Sequence, residues 1–153
     1  MYRIQKMDRN EIMKILPHRD NMLLVDEAYV EYDEKEGCNV SHGKYHVTGD
    51  EFFLRGHFPG NPVVPGVILC EMLAQSCCVL LADDVSEGTG TMFSGLKEVK
   101  FKTPVKPGDT FESKCQIIRK MGAFCFAKGE GYVNGKKAVS AEFSFVLIKN
   151  DGE

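Results

Sequence analysis

Two side chains stand out as able to exchange protons. They are His57, in the segment RGHFPGNPVVPG, and Glu71, in the apolar run that follows it. A neutral imidazole suits a general base near pH 7. A carboxyl group in apolar surroundings suits a general acid, because desolvation favours its neutral form. Pro59, Pro62 and Pro65 fix their own φ and push each preceding residue toward extended geometry. The loop around His57 is therefore expected to be rigid and non-helical. From Val63 to Ala82 the strongly polar side chains are Glu71, Gln75 and Ser76. Pro65 suits a first helical position, where its missing N–H costs nothing, so a helix is placed from there. A helix apolar on every side is normally buried.

Each residue alone has a plainer reading. His57 could be a satisfied loop histidine, and Glu71 a structural carboxylate at a helix edge. The apolar run also approaches the length of a membrane span, but its carboxylate, amide and prolines argue against one. Together, in this Pro/Gly frame, His57 and Glu71 favour a functional pair.

The elements that must position them follow from the rest of the chain. Its 153 residues, 43% apolar with net charge -3, fit a single domain spanning residues 1–153 with a core of its own. The mild acidity argues against nucleic acid as a main partner. Local basic clusters remain, at Lys97, Lys100, Lys102 and Lys106 and at Arg119–Lys120. Six cysteines show no CxxC and no zinc spacing, and three fall in the apolar helix. Buried thiols in a reducing cytoplasm explain them best. The amino-terminal MYRIQKMDRN has no apolar core of a signal peptide, so neither signal nor anchor is expected.

Asp8 and Glu11 read as a capping box opening a short helix that Pro17 ends. Met22 to Tyr32 reads as a strand, and after a turn near Glu34 to Gly37 a second runs from Cys38 to Val47. Asp50 could cap one helical turn through Leu54. Behind the long helix, DDVSEGTG reads as a loop of turn-formers and acids. A meander follows: Met92 to Lys102, Thr110 to Lys120, Ala123 to Val133, then an Asn134-Gly135 hairpin into Lys137 to Ile148. One long helix against five or six antiparallel strands is an α+β layer architecture. A helix apolar all round needs more cover than one sheet face provides, so its remaining face is expected to meet another subunit.

The stretch HFPGNPVVPGVILCEMLAQ resembles the signature of the (3R)-hydroxyacyl-acyl-carrier-protein dehydratases of the FabZ type. LPHR and LLVD upstream, and KFKTPVKPGD downstream, resemble that family's flanking segments in the same order, so the likeness spans roughly residues 8 to 148. It implies the hotdog fold: a long helix wrapped by a curved antiparallel sheet, paired as a homodimer and often assembled as a trimer of dimers. It also implies an acyl carrier protein as partner, a cytoplasmic location and a place in fatty acid biosynthesis. FabA-type relatives, which also isomerise the double bond, usually have aspartate where Glu71 stands, which favours dehydration alone. Two departures bear on acyl chain length. Asp20-Asn21-Met22 follows LPHR in place of an aromatic–proline–Phe run, and Val64 replaces a frequent methionine. The first leaves room for a polyketide-like accessory pathway.

Dehydrating a 3-hydroxyacyl thioester requires removing a weakly acidic C2 proton and expelling hydroxide from C3. His57 suits the base, with the resemblance suggesting that a backbone carbonyl such as that of Val63 fixes its tautomer. Gly66 could offer its N–H from the first helical turn to charge building on the thioester oxygen; a plain packing glycine is the alternative. Glu71 could protonate the leaving group or hold the departing water. Gln75, four residues on, could orient that carboxyl or be a satisfied core amide. His18, in LPHR, reads as structural or as part of the entrance. His42 and His46 have no acid or cysteine partners at metal-ligand spacing, and neither metal nor cofactor is expected. The competing readings are a hotdog thioesterase using Glu71 to activate water, which gives His57 no task, and an acyl-binding module without catalysis.

Overall fold

The computed structural model describes residues 5–83 and 89–149. The acidic loop expected after the long helix falls mostly on residues 84–88, outside the described residues. A helical turn α1, Arg9–Ile12, opens with Asp8 accepting the Glu11 N–H at 2.9 Å, the capping interaction expected. Six antiparallel strands follow: β1 Glu27–Asp33, β2 Cys38–His46, β3 Thr89–Phe101, β4 Thr110–Met121, β5 Phe124–Val133 and β6 Lys136–Lys149. They form one sheet in the order β1-β2-β4-β5-β6-β3. Helix α2, Gly66–Cys78, lies against its inner face and continues into a 3-10 turn at Val79–Leu81. This helix-and-wrap arrangement is the hotdog fold.

Strand alternation sets the layers. In β4 and β5, Phe111, Ser113, Cys115, Cys125 and Ala127 point to the helix, while Glu112, Lys114 and Lys128 lie on the other face. Leu69, Met72, Leu73, Cys77 and Val79 fill the space between. Burying a side chain such as Leu73 stabilises by about 1.5–3 kcal/mol. Small residues let the layers approach. A Cβ added at Gly43 would meet Ser76 Oγ at 2.2 Å, and Ser76 accepts a hydrogen bond from Ser113 at 2.8 Å. At the β5–β6 turn Asn134 and Gly135 have φ of 52° and 75°, the left-handed pair of the tight hairpin expected.

Three local readings need correction. Met22 to Tyr32 is not all strand: Asp20–Met22 is a 3-10 turn, Asp20 has φ 54°, and β1 begins only at Glu27. Asp50 does not cap the turn at Phe52–Leu54, which opens from Glu51 without a side-chain cap. Pro65 precedes the first helical residue, as N-cap with ψ 140°, and Gly66 takes the first position. Much of the extra cover for the helix comes from its own chain. Ile12, Leu16, Leu23, Leu24 and Val25 are all buried in the same core. Part of the apolar surface left open lies at the helix start and along edge strand β3, where Val67 is 72% exposed and Met92, Leu96 and Phe101 are also exposed; Ile118, Met121 and Phe124 at the β4–β5 end are exposed as well.

Candidate active site

The loop between the Phe52–Leu54 turn and α2 holds His57 by its own backbone. The Val63 N–H donates to the His57 carbonyl at 2.8 Å, and His57 Nδ1 lies 2.9 Å from the Val63 carbonyl oxygen. Between them, Phe58 and Asn61 exchange backbone hydrogen bonds at 2.9 and 3.0 Å, closing the proline-rich turn. A carbonyl can only accept, so Nδ1 carries the proton and the neutral ring keeps its lone pair on Nε2. The Phe58 ring stacks on the imidazole at 4.2 Å, and the loop is anchored to the connection between β3 and β4 by Val64 N–H on the Val105 carbonyl at 2.9 Å.

Upstream, a buried carboxylate absent from the sequence reading fastens the start of this loop. Glu51 accepts from the Tyr45 hydroxyl at 2.8 Å, the Thr48 N–H at 3.0 Å, the Thr48 hydroxyl at 3.1 Å and the Gly49 N–H at 2.8 Å. Burial alone would push this carboxyl up. The hydrogen bonds from the Thr48 N–H, the Tyr45 hydroxyl and the Gly49 N–H outweigh it and hold Glu51 below the usual glutamate value.

Gly66 stands where the first-turn N–H groups have no helical partner. Its missing side chain lets the Phe101 ring approach closely: a Cβ there would meet that ring at 2.7 Å, and the exposed ring would have to shift. Glu71 faces a small cavity with Gln75, Cys78, Thr91, Phe93 and His18, and its Oε1 lies 3.5 Å from His18 Nε2. The structural or entrance role expected for His18 from the sequence includes no contact with the carboxyl. Its signal was present in LPHR, but the partner lies 53 residues away.

Gln75 is spent elsewhere. Its Oε1 accepts the Leu24 N–H at 2.8 Å and its Nε2 donates to the Met22 carbonyl at 2.9 Å. It is a satisfied core amide that ties the segment before β1 to the helix, and among the described hydrogen bonds it makes none to Glu71. Nor do the described contacts join His57 to Glu71: the imidazole engages Val63 and Phe58, the carboxyl engages His18. His42 pairs with Glu31 at 2.8 Å and stacks on Tyr29, and His46 Nδ1 meets Thr110 Oγ1 at 3.1 Å. None of the six cysteines is in a disulfide. The basic clusters regroup across the sheet. Lys97 and Arg119 line one shallow depression beside Phe126, whereas Lys100 shares another with Lys114, Lys128 and the acids Glu36, Glu98, Glu130 and Glu142.

The chain as a whole is similar to known proteins. The chain is 39% identical over 140 residues to the 3-hydroxyacyl-[acyl-carrier-protein] dehydratase FabZ of Clostridium beijerinckii, covering 90% of this chain and 96% of that one. To the FabZ of Clostridium perfringens it is 41% identical over 142 residues, covering 92% and 99%. Among solved structures, the dehydratase heterocomplex ApeI:P from Xenorhabdus doucetiae matches with TM-score 0.73 at 19% identity, over 90% of this chain and 91% of that one. The fluoroacetyl-CoA thioesterase FlK matches with TM-score 0.63 at 13% identity, over 73% and 87%, a likeness of fold alone. The model of the FabA-like domain matches residues 16–142, a span that holds the His57 loop, Glu71 and the LPHR segment together. With that span and those relatives, the chain belongs to the FabA-like family, and over nearly its whole length it is similar to the members named FabZ.

Proposed function

We propose that this chain is a hydro-lyase that dehydrates (3R)-3-hydroxyacyl thioesters on acyl carrier protein to trans-2-enoyl thioesters, in fatty acid biosynthesis. The observation that carries the reading is the His57 tautomer: Nδ1 bound to the Val63 carbonyl at 2.9 Å leaves Nε2 as a base. It stands in a chain 35–41% identical to enzymes named for that reaction. In the reaction, His57 Nε2 takes the C2 proton and the C–H electron pair becomes the C2–C3 double bond. The C3–O bond breaks, and the hydroxyl leaves as water with a proton from Glu71. Gly66 offers its N–H, at the positive end of α2, to the charge that builds on the thioester oxygen. Gln75 serves this site through the backbone it holds.

The site is composite in this reading. Among the described contacts none joins His57 to Glu71, and an exposed apolar edge at β3 beside the helix start gives a second copy a surface to cover. A symmetric dimer then contains two sites, each with His57 of one protomer and Glu71 of its partner. Stacking of dimers into a trimer of dimers fits the same family pattern. Residues 1–153 act as one domain. No described helix is long and apolar enough to cross a membrane, and cysteines without disulfides suit a reducing cytoplasm. Paired substrates separate dehydration from thioester hydrolysis. A 3-hydroxyacyl carrier should yield the conjugated enoyl absorbance without thiol release, and a saturated acyl carrier should give no turnover. Thiol release from the saturated substrate would replace the dehydratase reading with a thioesterase.

A further inference from the structure

The acid–base pair leaves the histidine of the Glu71 cavity without a task. His18 Nε2 lies 3.5 Å from Glu71 Oε1, with the two side chains only 22% and 21% exposed. Its Nδ1 is buried and has no hydrogen-bond partner among the described residues. The backbone that carries it is fastened on both sides. The Arg19 guanidinium donates to the carbonyls of Met13, Leu16 and His18 at 3.0, 2.8 and 2.7 Å. A few residues on, Gln75 of α2 clamps Met22 and Leu24. The helix that bears Glu71 therefore also fixes the segment that bears His18, and the two side chains keep one register.

We propose that His18 is a positioning residue for Glu71, an inference that rests on the dehydratase reading. As charge develops, its Nε2–H donates to the carboxyl oxygen, selects one orientation of the group and stabilises the carboxylate left after proton donation. The transferred proton travels from the Glu71 oxygen to the departing hydroxyl, and His18 keeps its own. The 3.5 Å separation is long for a hydrogen bond; catalytic contacts of this kind are often loose in the resting enzyme and tighten as charge develops. Other groups facing the pair add little charge. Cys78 of α2 is the remaining titratable one, Ala74, Gln75, Thr91, Phe93 and Phe145 carry none, and Arg19 is turned to the backbone carbonyls.

The test compares His18→Phe, His18→Gln and His18→Asn. A glutamine amide reaches where Nε2 lies, and an asparagine amide only where Nδ1 lies. Loss of one hydrogen bond to a charged group should lower kcat by about 10–100-fold in His18→Phe and His18→Asn, with KM little changed. His18→Gln should recover most of that loss. Through a pH titration, the Glu71 carboxyl-carbon NMR signal should shift its midpoint upward in His18→Phe and return toward the parent in His18→Gln. Unchanged kcat and midpoint in His18→Phe overturn the proposal. Should His18→Phe fail to fold, the other two variants decide, since equal activity of the Gln and Asn forms also overturns it. If the parent forms no enoyl product, the dehydratase reading fails instead, while the titration still reports on the His18–Glu71 pairing.

Discussion

Replacing Glu51 by glutamine keeps its size and removes its charge, so it isolates what that buried carboxylate does. Four donors converge on it: the Tyr45 hydroxyl, the Thr48 N–H and hydroxyl, and the Gly49 N–H, all within 3.1 Å. An amide has one acceptor oxygen and brings two donors of its own. Whichever way it turns, its NH₂ faces a backbone N–H, of Gly49 or of Thr48, that cannot reverse its role. Hydrogen bonds to charged groups contribute about 1.5–3 kcal/mol, and a stranded buried donor costs about 1–3 kcal/mol. Because the hydroxyls can rotate to recover part of this, the expected loss is about 2–4 kcal/mol. At roughly 2–4 °C per kcal/mol, the melting temperature should fall by about 5–15 °C.

The pH dependence follows from the direction of the shift. Glu51 titrates below the ordinary 4.5 in the folded protein. Its contribution is therefore complete above that value and is lost as pH falls through the lower folded one. Urea unfolding of parent and variant, at one protein concentration and a series of pH values, should show the full difference at pH 7. The difference should shrink below about pH 4.5. A gap under about 0.5 kcal/mol at pH 7, or one that acid leaves unchanged, would refute the assignment.

Two further outcomes are expected. Mixing His57→Ala with Glu71→Gln under conditions where dimers exchange should restore about a quarter of the sites, because each heterodimer then holds one site with both native groups; no recovery, with heterodimers confirmed by mass, would exclude the shared site. Activity on carrier-bound substrate should fall with salt more than activity on a small thioester, with Lys97 and Arg119 as the charges to remove; equal salt sensitivity would count against a charged docking patch.

The residues differ in how far the sequence alone could place them. The proline spacing around His57 and the apolar run behind it announced a rigid loop feeding a buried helix, and the helix begins within one residue of the expected Pro65. Asn134-Gly135 carried its hairpin in its own conformational preferences. Gln75 and His18 were harder to place for one physical reason: each is a polar side chain whose partner lies far along the chain. The i, i+4 spacing of Gln75 pointed to Glu71, but the amide found the unpaired backbone of Met22 and Leu24, and the same bonds deny that segment its place in the sheet. His18 looked peripheral because its neighbour is on α2. Glu51 sits beside Asp50, and spacing cannot tell which acid turns inward; the Tyr45 hydroxyl waiting in β2 decides it.

The most direct test of the central claim is the conjugated enoyl absorbance formed from a (3R)-3-hydroxyacyl carrier by purified, folded parent, His57→Ala and Glu71→Gln. The parent should form product, and each variant should be slower by about 10²–10⁴-fold, the range for general acid–base groups. Near-parental turnover in either variant would remove that residue from the chemistry, and no product from the parent on any chain length would contradict the proposed dehydration itself.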